Sequence, residues 1–273
     1  YRKMNMTQSA LKEYTDLQCW DEVIRCCILL GRKSKAEELI EKRLKVQLQK
    51  HGNNPQQMSK SEKRALAQTY CFLGMARNDP SLYLKSWEVS GNAYPKAKRI
   101  LGNYHLNRKE WKEAIIHYRD ALDINPIHIE SWYNQGIAAQ EIKDFHTAKT
   151  AYTRVVQLDS ERGEAWNNLA AVHLHLKNHK EALGALEYAV KHKRDNWKIW
   201  ENYFTTALHL KQLPKAFTGL QETINLRREA AIDQQIIDLM TQETIRQTLP
   251  KLNLDENKDD GGAADDADDA AAA

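Results

Sequence analysis

The chain has 273 residues, with 40 Lys and Arg against 37 Asp and Glu, and only 11 Gly and 6 Pro. A composition dominated by Ala, Leu, Glu, Lys and Gln favours helix over strand, and β-branched runs bounded by turn residues are nearly absent. No window approaches the roughly 18 unbroken apolar residues of a membrane span, and the 4 cysteines form no C-x-x-C pair, which sets aside membrane-spanning, zinc and disulfide roles. The expected setting is therefore a reducing, intracellular one.

Residues 1–16 begin without methionine inside a helical pattern, and Ala10 and Tyr14 read as the second helix of a unit cut by the start of the chain. A further unit starts near Leu17, with Trp20, Cys27, Ala36 and Ile40 at its apolar positions and Gly31 in its turn. Cys19, Cys26 and Cys27 fall here, where a free thiol packs as a small hydrophobe. An inserted loop is predicted over 47–61, which contains His51-Gly52-Asn53-Asn54-Pro55. A shortened unit begins at about Ala67, carries Leu73, Gly74 and Ser86, and is interrupted by Asn78-Asp79-Pro80. Residues 17–94 thus read as two irregular repeats.

From residue 95 to 230 the pattern becomes regular. Trp132, Trp166 and Trp200 recur every 34 residues, and Ala114, Ala148, Ala182 and Ala216 keep the same step. Tyr118, Tyr152, Leu186 and Leu220 form a third series, each four residues after its alanine. Three independent registers at one period predict four regular helical hairpins. In each, a small residue at the eighth place (Gly102, Gly136, Ala170) lets the first helix lie close to the second, and Phe204 breaks this rule in the last. Pro95, Pro126 and Pro214 fall at or just before expected helix starts, where a missing N–H costs little. A single hairpin cannot bury its apolar face, so neighbours must stack. The predicted fold is all-α, a right-handed α-solenoid of roughly five to seven hairpins. A C-terminal helix is expected over 231–254. The tail 255–273 holds eight acids and one lysine and is expected to be disordered, leaving a body of about +10.

The period and residue classes resemble the tetratricopeptide repeat, W-x2-L-G-x2-Y followed by A-x3-F and a late proline. Within that superfamily, WDEVIRCCILLGRKSKAEELI at Trp20, WNNLAAVHLHLKNHKEAL at Trp166 and WKIWENYFTTALHL at Trp197 resemble the family of tetratricopeptide repeat protein 27 and its fungal relatives. The more diagnostic part is the atypical linkage of TYCFLG to SLYLKSWEVSGNAYPKAKRILGNYHLNRKEW. The resemblance spans about 8–228. It implies a non-enzymatic eukaryotic scaffold of the cytoplasm, with the nucleus as a second compartment. By analogy it implies a cochaperone or assembly factor for a large complex, with a link to spliceosomal particle maturation.

In this repeat class the first helix of each hairpin lines an inner groove. The matching positions are Lys96, Arg99, Asn103 and Asn107, then Tyr133 and Asn134, then Glu164 and Asn167, and finally Lys198 and Glu201. The expected partner-binding groove is polar and mixed in charge, basic near Lys96 and Arg99. Relatives that hold the acidic C-terminus of heat-shock chaperones use three basic residues and two asparagines. Arg99, Asn103 and Asn134 match three of those places, but Glu164 and Asn168 stand at the other two. A glutamate there repels the carboxylate to be held, so a chaperone tail is not the expected ligand.

No Gly-rich phosphate loop, G-x-S-x-G or H-E-x-x-H occurs, and no catalytic, cofactor or metal site is predicted. His175 and His179 have the i, i+4 spacing of a metal pair, but no third ligand is placed by sequence, and His173 sits at a packing position. RNA is the alternative partner, through basic helix ends such as Arg108, Lys109, Lys177 and Lys180. Aromatic residues interleaved for base stacking are missing from that set, since the tryptophans and tyrosines take core positions. On that placement, Trp132→Ala or Trp166→Ala is expected to cost about 3–5 kcal/mol.

Overall fold

The computed structural model describes residues 2–227 except 53. Among them lie thirteen α-helices and one short 3-10 turn, with no strand. They divide into two compact units, residues 1–161 and residues 162–273. The helix predicted over 231–254 and the tail 255–273 lie outside the described residues.

The first unit holds α1 (Arg2–Asp16), α2 (Trp20–Leu29), α3 (Lys33–Gln49), α4 (Lys60–Arg77) and α5 (Pro80–Val89). It continues with α6 (Pro95–Asn107), α7 (Trp111–Ile124), α8 (Ile129–Glu141) and α9 (Phe145–Leu158). The second unit holds α10 (Gly163–His175), α11 (His179–His192), α12 (Trp197–His209) and α13 (Leu213–Arg227). Consecutive helices from α2 onward pair as antiparallel hairpins. Their starts follow local chemistry. Pro80 and Pro95 occupy first-turn positions, and Asp79, Asp144 and Asn196 accept backbone N–H groups at the helix starts.

The irregular part departs from the expected limits. The α4 helix begins at Lys60 rather than near Ala67, because Ser59 and Glu62 form a reciprocal capping box that starts the helix two turns earlier. The predicted loop is correspondingly shorter, since α3 runs to Gln49, and it contains a 3-10 turn at Pro55–Gln57.

The turns inside the four regular hairpins are copies of one another. Lys109, Lys143, Lys177 and Lys211 adopt left-handed φ values of 60°, 61°, 61° and 58°. In each case the next N–H reaches back five residues, as in Glu110 to the carbonyl of His105 at 2.9 Å and Asp144 to that of Ala139 at 2.9 Å. This is the helix-ending motif that usually employs glycine. A lysine there accepts backbone strain of about 1–2 kcal/mol, so the turn is fixed by the packing on either side of it.

Helix approach is governed by matched sizes. A Cβ at Gly102 would lie 2.6 Å from the Tyr118 ring, and one at Gly136 would lie 2.7 Å from the Tyr152 ring. In the third regular hairpin the pair becomes Ala170 and Leu186, both fully buried. In the fourth the order reverses: Phe204 is buried on the first helix, and Gly219 opposite has the Phe204 backbone within 3.0 Å of where its Cβ would stand. The aromatic that seemed misplaced in the sequence is compensated across the hairpin.

The signature indoles are not core residues in the sense expected. Trp132, Trp166 and Trp200 are only partly buried. The N–H of Trp132 donates to the Pro126 carbonyl at 2.8 Å, and that of Trp200 donates to the Arg194 carbonyl at 3.0 Å, tying each helix to the loop before it. Trp166 stacks on Tyr188 with ring centroids 4.6 Å apart. Because less area leaves water than a buried indole would bury, the expected cost of Trp166→Ala falls to about 2–3 kcal/mol. Urea denaturation followed by circular dichroism reads this directly, and an unshifted midpoint would remove Trp166 from the packing scheme.

Candidate functional site

On α6, Lys96, Arg99, Asn103 and Asn107 follow one another at steps of three or four residues and so share one helical face. Lys96 and Arg99 are half-buried. The Lys96 ammonium lies 5.5 Å over the Phe72 ring of α4, and neither residue has a carboxylate partner among the described residues. Burial lowers the pKa of both groups, and the charge of Arg25 on α2 lowers Lys96 further. Arg25 itself is exposed and pairs with Glu22 at 3.1 Å. The charge of Arg99 in turn reaches His128, the cap of α8. Burial first and then Arg99 push the His128 pKa down, and its Nδ1 accepts the Ser131 backbone N–H at 3.2 Å. The local field is thus that of several cations gathered around one helix face.

Next to these cations lies an amide bridge. The Asn103 side-chain oxygen accepts from the Tyr118 hydroxyl at 2.6 Å and from the Asn134 amide at 3.3 Å, joining α6, α7 and α8. Tyr133, beside Asn134, meets Tyr152 edge to face at 5.9 Å. Asn107 is exposed one turn beyond Asn103. Such a face can hold a carboxylate or a main-chain amide. It holds no nucleophile poised beside a base.

The second unit arranges its four candidate residues differently. Glu164 pairs with Lys193 at 3.1 Å, and Glu201 lies 3.8 Å from Arg227. Asn167 accepts from the amide of Asn202 at 3.0 Å. Lys198 is exposed and lies over the Trp197 ring at 5.6 Å. The acidic candidates are therefore engaged within their own unit, and the repeat positions gave no hint of their partners, which fall outside the periodic set. Arg25 and His128 were also missed. Arg25 occupies the ninth place of the unit starting at Leu17, so the same groove register applied to the irregular units would have found it.

The other sequence candidates carry no chemistry of this kind. His173 is buried, and His179 packs against His209 with ring centroids 4.2 Å apart. Among the described residues no group of three or more His, Cys, Asp or Glu is placed to hold a metal ion. Cys26, Cys27 and Cys71 are buried free thiols, and Cys19 is exposed. A separate cavity of about 980 Å³ opens between α2 and α3, lined by Trp20, Ile24, Leu39 and Val46 and bordered by the Asp21–Arg43 ion pair. No described helix is long and apolar enough to cross a membrane.

Residues 133–217 match the family model described as tetratricopeptide repeat. The chain is 32% identical over 135 residues to the tetratricopeptide repeat protein 27 homolog of Dictyostelium discoideum, a match covering 50% of this chain and 14% of that protein. It is 28% identical over 166 residues to the essential for maintenance of the cell wall protein 1 of Saccharomyces cerevisiae, covering 58% of this chain and 16% of the relative. The chain thus spans about a seventh of the length of the curated relatives it matches. Among solved structures, the tetratricopeptide-repeat protein YrrB superposes with a TM-score of 0.55 at 15% identity, over 74% of this chain and 97% of that one, a likeness of fold.

Proposed function

Because the chain is a tetratricopeptide-repeat protein similar to tetratricopeptide repeat protein 27, we propose that it is a non-catalytic scaffold that grips a protein partner on the α6–α8 face. The observation that carries this reading is the pair of half-buried cations, Lys96 and Arg99, set without a described carboxylate partner beside the Asn103–Asn134 bridge. Cations suit acidic side chains or a terminal carboxylate, and the asparagines suit the backbone of an extended segment. Glu164, Asn167, Lys198 and Glu201 serve as a second, charge-mixed contact in the other unit. The scaffold acts as a cochaperone or assembly factor within a large complex, in the cytoplasm and the nucleus. Spliceosomal particle maturation is the process that family analogy favours.

RNA association has less support. The indoles of Trp132 and Trp200 are tied to loop carbonyls, and the rings of Tyr118 and Tyr152 are buried against glycines, so these aromatics offer no base-stacking surface.

The test is affinity purification of the full-length protein with mass spectrometry, using Arg99→Glu combined with Asn103→Ala as the control. The variant is expected to lose the main partner while keeping its helical circular dichroism. Its stability should fall by about 1 kcal/mol, because the Tyr118 hydroxyl loses its acceptor. Unchanged partner recovery would move the binding surface off this face.

A further inference from the structure

The cationic face has a complement in the same chain. Residues 255–273 carry Asp255, Glu256, Asp259, Asp260, Asp265, Asp266, Asp268 and Asp269 against the single Lys258. No side chain in that segment that is both apolar and larger than alanine is present, so it can dock only through carboxylates and main-chain amides. Those are the two kinds of group that Lys96, Arg99 and the Asn103–Asn134 bridge can receive. Gly261 and Gly262 separate the two acidic runs and permit a bend between them.

We propose that the acidic segment 255–273 occupies the Lys96–Arg99 face of its own chain and competes there with the partner. This rests on the reading of that face as the partner site and adds its regulation.

Burial sets this face apart from the basic surface elsewhere. Solvated cations on outer helix faces gain little from a pairing carboxylate. Lys96 and Arg99 are half-buried beside Phe72, Cys71 and Tyr94, where a counter-charge is less screened. Arg25 adds a third positive charge opposed only by Glu22. Length sets no bar, since residues 228–273 can extend to roughly 150 Å. A tethered occupant acts at about millimolar effective concentration, enough to hold off a weak competitor and yield to a strong one.

The experiment uses the full chain in two forms, native and with the eight acids of 255–269 changed to Asn or Gln. Zero-length carbodiimide coupling, with mass spectrometry of mixed light and heavy chains, should join Lys96 to carboxylates of 255–269 within one molecule. The link should disappear in Arg99→Glu. A labelled synthetic peptide of residues 255–273 should bind the neutralised chain roughly tenfold or more tighter than the native chain. Equal binding to both forms, or cross-links formed only between different molecules, overturns the proposal. If partner recovery still depends on Arg99 in that event, the partner-site reading stands and only the regulation falls. Recovery that ignores Arg99 removes both.

Discussion

Tyr118→Ala is expected to lower the stability of the chain by about 3–5 kcal/mol, the range for emptying a large buried side chain. Tyr118 is 1% exposed, its ring lies flush against the Cα of Gly102, and its hydroxyl donates to Asn103 at 2.6 Å. Tyr118→Phe separates these contributions. It keeps the ring and loses only the hydrogen bond, so about 1 kcal/mol is expected. The converse change, Gly102→Ala, forces a methyl into the space of the ring edge and should cost about 1–3 kcal/mol through overpacking. The decisive measurement is the double variant Gly102→Ala with Tyr118→Leu, which rebuilds the Ala170 and Leu186 pair of the third regular hairpin. Urea midpoints should place it well above the sum of the two single losses, because the pair shares one space. A purely additive result would mean that the two positions do not answer to each other's size.

The same pairing explains why so much of the fold could be read from the residues. Each hairpin repeats the same few local contacts, so Gly102 and Tyr118 or Gly136 and Tyr152 leave a mark at a fixed spacing. Features that do not repeat leave none. The early start of α4 depends on the Ser59–Glu62 capping box, which occurs once. The left-handed lysines do repeat, but a lysine carries no conformational signature of its own. The indoles were placed in the core because large apolar residues usually go there, whereas the N–H of an indole can hold it at a loop carbonyl instead, as Trp132 and Trp200 do. At the candidate site, repeat position supplied the face of α6 from Lys96 to Asn107. Position could not say which charges are already neutralised, since Lys193 and Arg227 lie outside the periodic set that contains Glu164 and Glu201.

Lys98 is the sharpest case of a residue that the period conceals, and it yields the second large effect. It stands 34 residues before Trp132, in the tryptophan slot of the first regular hairpin, yet it is 8% exposed. Its ammonium lies 2.8 Å from the Asp120 carboxylate and 5.2 Å over the Trp87 ring, so an ion pair and a borrowed indole replace the missing tryptophan. Asp120→Ala leaves that ammonium buried without its counter-charge and is expected to cost about 3 kcal/mol. That figure takes the low end of the range because the Asp120 side chain is 33% exposed. Lys98→Met together with Asp120→Leu removes both charges and should stay within about 1 kcal/mol of the parent, since apolar replacement of a buried pair is near neutral. His117 supplies an independent readout. Its Nδ1 lies 3.4 Å from the Lys98 ammonium, and burial, followed by the Lys98 charge, lowers its pKa from 6.5 to about 4. Below about pH 6.5 the unfolded chain takes up a proton that the folded chain refuses until about pH 4, so stability should decline as pH falls across that window and level off beneath it. Asp120→Ala removes a charge that favours His117 protonation and should steepen the decline, whereas Lys98→Met with Asp120→Leu should make it shallower. Identical pH slopes in all three proteins would show that Lys98 does not govern the charge state of this layer.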